Sequence, residues 1–268
     1  MHAAGYLEVF VAALAAGVLA TIAAGASLAL PATLVPRLVS FAVGALLGAV
    51  FVELLPDALE RGHAEGVMVT VLAGLLVFFL LEKLVLWRHS HGEVPHDDAH
   101  DETEHAHAMH AAHAHGHDHG RSGLMILIGN SVHNVCDGIV IAAAFVADAR
   151  LGLVTTLAIV AHAVPQQIGD FAVLLHSGYT RGRAFAVNVA TGLATLAGAT
   201  AGYFALAALT GILPTVLAIA SASLLYVAVA DLIPSLHRRP EPVETLKQML
   251  LILSGIAVIA VVHVALEP

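Results

Sequence analysis

Polar residues in this chain come as short interruptions between long apolar runs. The runs cover roughly 5–30, 38–59, 66–87, 123–147, 151–176, 184–209, 211–236 and 246–265. Each approaches the roughly 20 residues that cross a bilayer as a helix. Ala, Leu, Val and Gly dominate them, and backbone groups in hydrocarbon must bond within their own segment, so they read as helices rather than barrel strands. The pattern predicts an all-α polytopic membrane protein with eight transmembrane helices in a bundle. Gly211 and Pro214 supply the turn between helices six and seven, where a single kinked helix is the alternative. The first run differs from a signal peptide. It is too long, lacks a basic leading region and carries Glu8 where lysine or arginine would stand.

Composition supports that reading. Of 268 residues, 59% are hydrophobic and 12% charged, and the mean hydropathy is +0.87, which leaves no room for a separate soluble domain. A net charge of −9 argues against a nucleic-acid partner, and the single cysteine, Cys136, excludes a disulfide framework or cysteine-built zinc finger. Basic residues accumulate in cytoplasmic loops. With eight spans, one side holds only Arg61 and Arg150, whereas the other holds Arg37, Arg88, Arg121, Arg181, Arg183, Arg238, Arg239 and Lys247. Both termini are thus expected outside the cytoplasm. Two lysines against nine arginines, with abundant alanine, suggest a GC-rich bacterial genome and an inner-membrane home.

Histidine adds chemistry. Eleven of the 18 histidines and seven acidic residues fall between positions 89 and 120. The 89–122 segment has no hydrophobic periodicity and is expected to be a disordered cytoplasmic loop dividing helices 1–3 (1–88) from helices 4–8 (123–268) of a single transport domain. His105, His107, His110, His113, His115, His117 and His119 offer many interchangeable weak sites for zinc, nickel, copper or iron(II), suited to capture or buffering.

The specific signal lies inside the membrane. Helix four places His133, Asn134 and Asp137 at i, i+1 and i+4, and helix five places His162, Gln166 and Asp170 at i, i+4 and i+8, with Gln167 alongside. A mid-membrane carboxylate costs about 2.5–3.5 kcal/mol on insertion scales. Two aspartates and two histidines should therefore face one another and share a cation. Pro165 frees the Ala161 carbonyl, and small residues such as Gly138 and Gly169 would let backbones approach, as in the broken helices of transporters. The competing reading, hydrogen-bonded glue between helices, weighs equally for Asn134, Gln166 and Gln167 taken singly. Cys136 reads as packing. His176, His237 and His263 lie near helix ends, where interfacial solvation suffices.

An internal echo joins helices two and seven. FVELLPDAL (51–59) and YVAVADLIPSL (226–236) each run from an aromatic to an acid to a proline. Helices two and seven then occupy mirrored positions, as do four and five, giving the bundle inverted-repeat character.

HNVCDG followed by HAVPQQIGDF resembles the ZIP (Zrt-, Irt-like) metal transporters, in the branch whose helices read HNFxDG and HExPHExGD. GALLGAVFVELLP, LLYVAVADLIP, the eight spans and the histidine-rich third loop are similar too. The resemblance implies movement of zinc or a related divalent cation (Fe2+, Mn2+, Co2+, Cd2+) toward the cytoplasm as cargo rather than cofactor. It implies ligands from His133, Asn134, Asp137, His162 and Gln166, no catalytic residue, and no enzyme activity. The partners implied are divalent metal ions and the lipid bilayer, with a homodimer as an option and no nucleic acid.

This chain departs from the pattern at Ala163, Gln166 and Gln167, where the family has an acid and then His-Glu. Amide oxygens are weaker zinc ligands than carboxylate or imidazole. The expectation is a single-metal site on His133, Asp137 and His162, completed by amides and water, with Asp170 further along the path. A cation-diffusion exporter would also use HxxxD pairs, but with about six helices and a soluble C-terminal domain. An intramembrane zinc protease needs HExxH, which Ala163 and Gln166 break. A non-transporting metal sensor is the third alternative.

Overall fold

In the computed structural model, the described residues are 3–27, 34–90, 121–207, 209–237 and 241–266. They form eight helices long and apolar enough to cross a membrane. These are α1 (Ala3–Ala26), α2 (Leu34–Arg61), α3 (Ala64–Ser90), α4 (Arg121–Ala147), α5 (Ala149–His176), α6 (Arg181–Ala207), α7 (Leu213–Leu236) and α8 (Pro242–Leu266). The expected break before α7 is present as a short 3-10 turn at Thr210–Ile212, with Pro214 in the first turn of the new helix. One residue separates α4 from α5. It is Asp148, whose Oδ1 accepts from the Arg150 and Leu151 amides at 2.8 and 3.4 Å and so caps the second helix. The other end of α5 closes at Gly178, where φ is 85° and the Tyr179 amide returns to the Leu174 carbonyl.

The helices sort into two groups. In one, α1 packs on α5 and α6, α4 packs on α6, and α4 lies beside α5; in the other, α2 packs on α8 and α3 on α7, and the groups meet largely where α2 crosses α5. Exchanging one with six, two with seven, three with eight and four with five carries these pairings onto one another. α3 and α8 turn most of their apolar surface outward, as Leu72, Leu76, Leu80, Leu250 and Val261 illustrate. Several hydroxyls inside the bundle are satisfied locally: Thr21, Ser40, Thr156 and Ser221 each donate to the carbonyl four residues earlier.

The echo between helices two and seven corresponds to one backbone feature. Ala49–Leu54 and Val227–Leu232 are π-helical, and in each the next amide reaches five residues back, Leu55 to the Val50 carbonyl and Ile233 to the Ala228 carbonyl. Pro56 and Pro234 follow directly. Each lacks an N–H and crowds the carbonyl four residues earlier, so the helix widens by one residue ahead of it. Glu53 and Asp231 each stand three residues before their proline, within the widened turn. By contrast, α5 runs unbroken through Pro165. The expected break there is absent; the proline is buried in a helix packed on several neighbours, which hold its course.

Close backbone approach depends on glycine most tightly at two contacts. A Cβ on Gly138 would sit 2.0 Å from the Thr195 carbonyl oxygen, and one on Gly198 would sit 2.1 Å from the Val135 carbonyl oxygen, so α4 and α6 touch main chain to main chain. Gly44 and Gly255 do the same for α2 and α8, at 2.0 and 2.3 Å from the Ile252 and Phe41 carbonyls. Gly169, expected to serve this purpose, has nothing within 4 Å of where its Cβ would be. Gly198→Ala is therefore expected to destabilise the purified protein by about 1–3 kcal/mol, the usual cost of overpacking, with Gly169→Ala unchanged. Thermal unfolding in detergent measures both.

Candidate metal site

α4 and α5 are antiparallel, joined by the single residue Asp148, so their residues pair in a fixed register, the α5 partner standing three or four positions further from that turn than the α4 one. The pairs that touch follow this register. Asp137 meets His162, and two helical turns further from Asp148, Asn130 meets Asp170. His133 and Gln166 occupy the level between, four residues from Asp137 and His162 respectively. Helical spacing on both arms of the hairpin thus produces one polar track along the α4–α5 contact.

The centre of that track is a three-residue cluster. Asp137 Oδ2 lies 3.2 Å from His162 Nε2 and 3.4 Å from His133 Nε2. The two imidazoles stand edge to face, with centroids 5.7 Å apart. Asp137 and His162 are each 1% exposed, and His133 is half-buried. One ligand atom from each of the three can be chosen so that all lie within 4.8 Å of one another, a separation that a single divalent ion can span. Two of the polar atoms, His133 Nε2 and Asp137 Oδ1, are buried without a hydrogen-bond partner. Buried polar atoms are nearly always partnered.

The tautomer of His162 sharpens the point. Its Nδ1 lies 3.3 Å from the Ala158 carbonyl oxygen, which can only accept. With the proton on Nδ1, that bond is made and the Nε2 lone pair faces the Asp137 carboxylate. In that tautomer the two facing acceptors, 3.2 Å apart, suit a shared cation, and a backbone carbonyl orienting the far nitrogen is the usual support for a metal-binding histidine.

The remaining sequence candidates sort by place. Asn134 is buried beside His133 and Gln166 is half-buried on the His162 stripe. Gln167 is not part of the cluster. Its Oε1 accepts from the Thr21 hydroxyl at 3.3 Å and its carbonyl oxygen accepts from Asn188 Nδ2 at 3.2 Å, so it ties α5 to α1 and α6. Asp170 lies two turns from His162 and accepts from Asn130, a residue that the sequence motifs do not single out although it precedes His133 by one helical turn. Cys136 is half-buried and outside the cluster. His105, His107, His110, His113, His115, His117 and His119 lie outside the described residues. Asp231, in the widened turn of α7, is close enough to act electrostatically on His162. The acid-to-proline echo is the signal in the sequence that points to it.

Comparison with known proteins points the same way. The family profile described as ZIP Zinc transporter matches residues 4–263. The chain belongs to the ZIP zinc transporter family. Among curated members, Zinc transporter ZIP13 of Mus musculus is 32% identical over 263 residues, spanning 86% of this chain and 70% of the relative. The Homo sapiens ZIP13 protein is also 32% identical, over 83% of this chain and 69% of its own length. Zinc transporter ZIP4 of Rattus norvegicus is 30% identical over 74% of this chain and 37% of its length. A ZIP assignment points to a transporter and displaces the cation-diffusion alternative.

The two glutamines are therefore expected to behave differently when made acidic. Gln166→Glu adds a carboxylate level with His133 and should raise zinc affinity in equilibrium binding. Gln167→Glu instead buries an unpaired charge against Thr21, and unfolding in detergent should show a loss approaching the roughly 2.5–3.5 kcal/mol of an intramembrane acid.

Proposed function

We propose that this ZIP family member carries zinc, or a related divalent cation, across a membrane toward the cytoplasm through the cluster of His133, Asp137 and His162. The observation that supports it most is the convergence of those three groups inside the bundle, with the unpartnered Asp137 Oδ1 and His133 Nε2 beside them. Neutral imidazoles and one carboxylate suit zinc, and Asn134, Gln166 and water complete the coordination. Asn130 and Asp170 form the next station along α4 and α5, on the side where basic loop residues accumulate. That charge asymmetry supports termini outside the cytoplasm, the resemblance of the α4 and α5 motifs to the ZIP branch supports an inward direction, and the arginine-rich composition supports a bacterial inner membrane. The eight helices act as one transport domain, and the 89–122 segment as a cytoplasmic reservoir of weak sites. A homodimer is compatible with this reading and not required by it.

Two measurements check the reading. Reconstituted in liposomes, the protein should take up zinc, and His133→Ala, His162→Ala and Asp137→Asn should each reduce uptake by at least about tenfold, in line with losses of metal-site groups. Parallel assays with iron(II), manganese, cobalt and cadmium rank the cations. Uptake indifferent to all three substitutions would remove the site from the pathway. Deleting residues 91–120 should lower the number of zinc ions bound per chain while leaving liposome uptake measurable. A deletion that abolished uptake would instead make the loop part of the pathway.

A further inference from the structure

The two helix groups are tied together by charged side chains at one end, around the α4–α5 turn. Glu53, in the widened turn of α2, is 3% exposed. Its Oε1 lies 2.5 Å from His263 Nδ1 of α8 and its Oε2 4.0 Å from Arg150 Nη2 of α5. His263 belongs to the same group as Glu53, whereas Arg150 belongs to the other. A second tie lies nearby. Arg61, at the end of α2, is held by Asp57 through Nε and Nη2 at 2.5 and 3.1 Å, and its Nη2 also donates to the Ala147 carbonyl oxygen at 3.2 Å, the last residue of α4. Both arginines therefore cross from one group to the other, on either side of Asp148.

We infer that Arg150 and Arg61 form a latch that closes this end of the α4–α5 pathway and that must release for the groups to separate there. The inference rests on the transport reading above. Its construction is asymmetric. Glu53 keeps His263 when the groups part, and Arg61 keeps Asp57, so each buried or half-buried carboxylate retains a partner in both states. The links that cross between the groups are looser: a 4.0 Å ion pair on a partly exposed arginine, and a hydrogen bond to a backbone carbonyl. Long or single links of this kind, on partly exposed arginines, suit a contact that opens in every cycle. The π turn is part of the device, since the extra residue aims Glu53 at α5 and α8 together.

The test uses full-length protein in a Cys136→Ala background. With Arg61→Cys and Ala147→Cys, a reducible bis-thiosulfonate linker should lower zinc uptake by liposomes at least about tenfold, because the end can no longer open. A reductant should restore uptake. Cross-linked protein that transports as fast as reduced protein overturns the latch. A second measurement needs no transport: with Ala147→Cys alone in nanodiscs, Arg150→Gln should raise the rate of labelling by a charged thiol reagent about threefold or more through a population shift. Lys247→Gln, which only loses a pairing with Glu244, should not. Equal labelling in all three overturns the proposal even if zinc uptake is normal, whereas absence of uptake in the unsubstituted protein overturns the transport reading and leaves the labelling comparison to decide the latch.

Discussion

The Asp137 carboxylate, buried in the middle of a membrane helix, is the constraint around which the rest is arranged. In hydrocarbon it must be shared with donors or a cation, and it has two imidazoles within 3.4 Å. To bring His162 to it, α4 and α5 must run antiparallel at fixed register, and the single capping residue Asp148 supplies that register by leaving the hairpin no slack. To bury it, α6 must close over α4, and Gly138 and Gly198 permit main-chain contact one residue beyond the acid. Gln167 then fastens the far side of α5 to α1 and α6 through neutral hydrogen bonds. Charge sits on one face of the hairpin and amide glue on the other.

The widened turns in α2 and α7 express the same economy. A straight helix offers every third or fourth residue to one neighbour. A π turn ahead of Pro56 or Pro234 shifts the acid by one position, so Glu53 meets α5 and α8 together and Asp231 acts on His162 from another group of helices. Proline, which the membrane tolerates where packing compensates for the lost hydrogen bond, serves here to set the direction of a carboxylate rather than to break a helix.

Much of this arrangement is legible in the order of residues alone. Apolar runs of membrane length mark the eight helices, because hydrocarbon leaves the backbone few options, and the i, i+4 spacing of His133 with Asp137 puts them on one face. What spacing does not supply is which face of α5 each neighbouring residue takes. Gln166 and Gln167 are adjacent letters but about 100° apart on the helix, and only the packing of α1 and α6 assigns the second to them. Pro165 and the prolines of α2 and α7 look alike in sequence; the difference lies in the turns ahead of them, set by how each helix is clasped by its neighbours. His263 reads as a solvated helix end in the sequence because its partner, Glu53, is 210 positions away.

The glutamines bear on how a bound ion would leave. A divalent ion among His133, Asp137 and His162 meets one negative charge, so the occupied cluster carries excess positive charge in a low-dielectric interior, where such imbalance is costly. A second acid at position 166 would cancel it locally and hold the ion. Without that acid, compensation falls to acids outside the cluster, among them Asp231, across the boundary between the helix groups, and Asp170, two turns along the track. Neutrality then depends on where α7 stands relative to α5. On the proposed transport reading, moving the groups would change the electrostatic balance at the ion as well as its access, coupling the site to the motion.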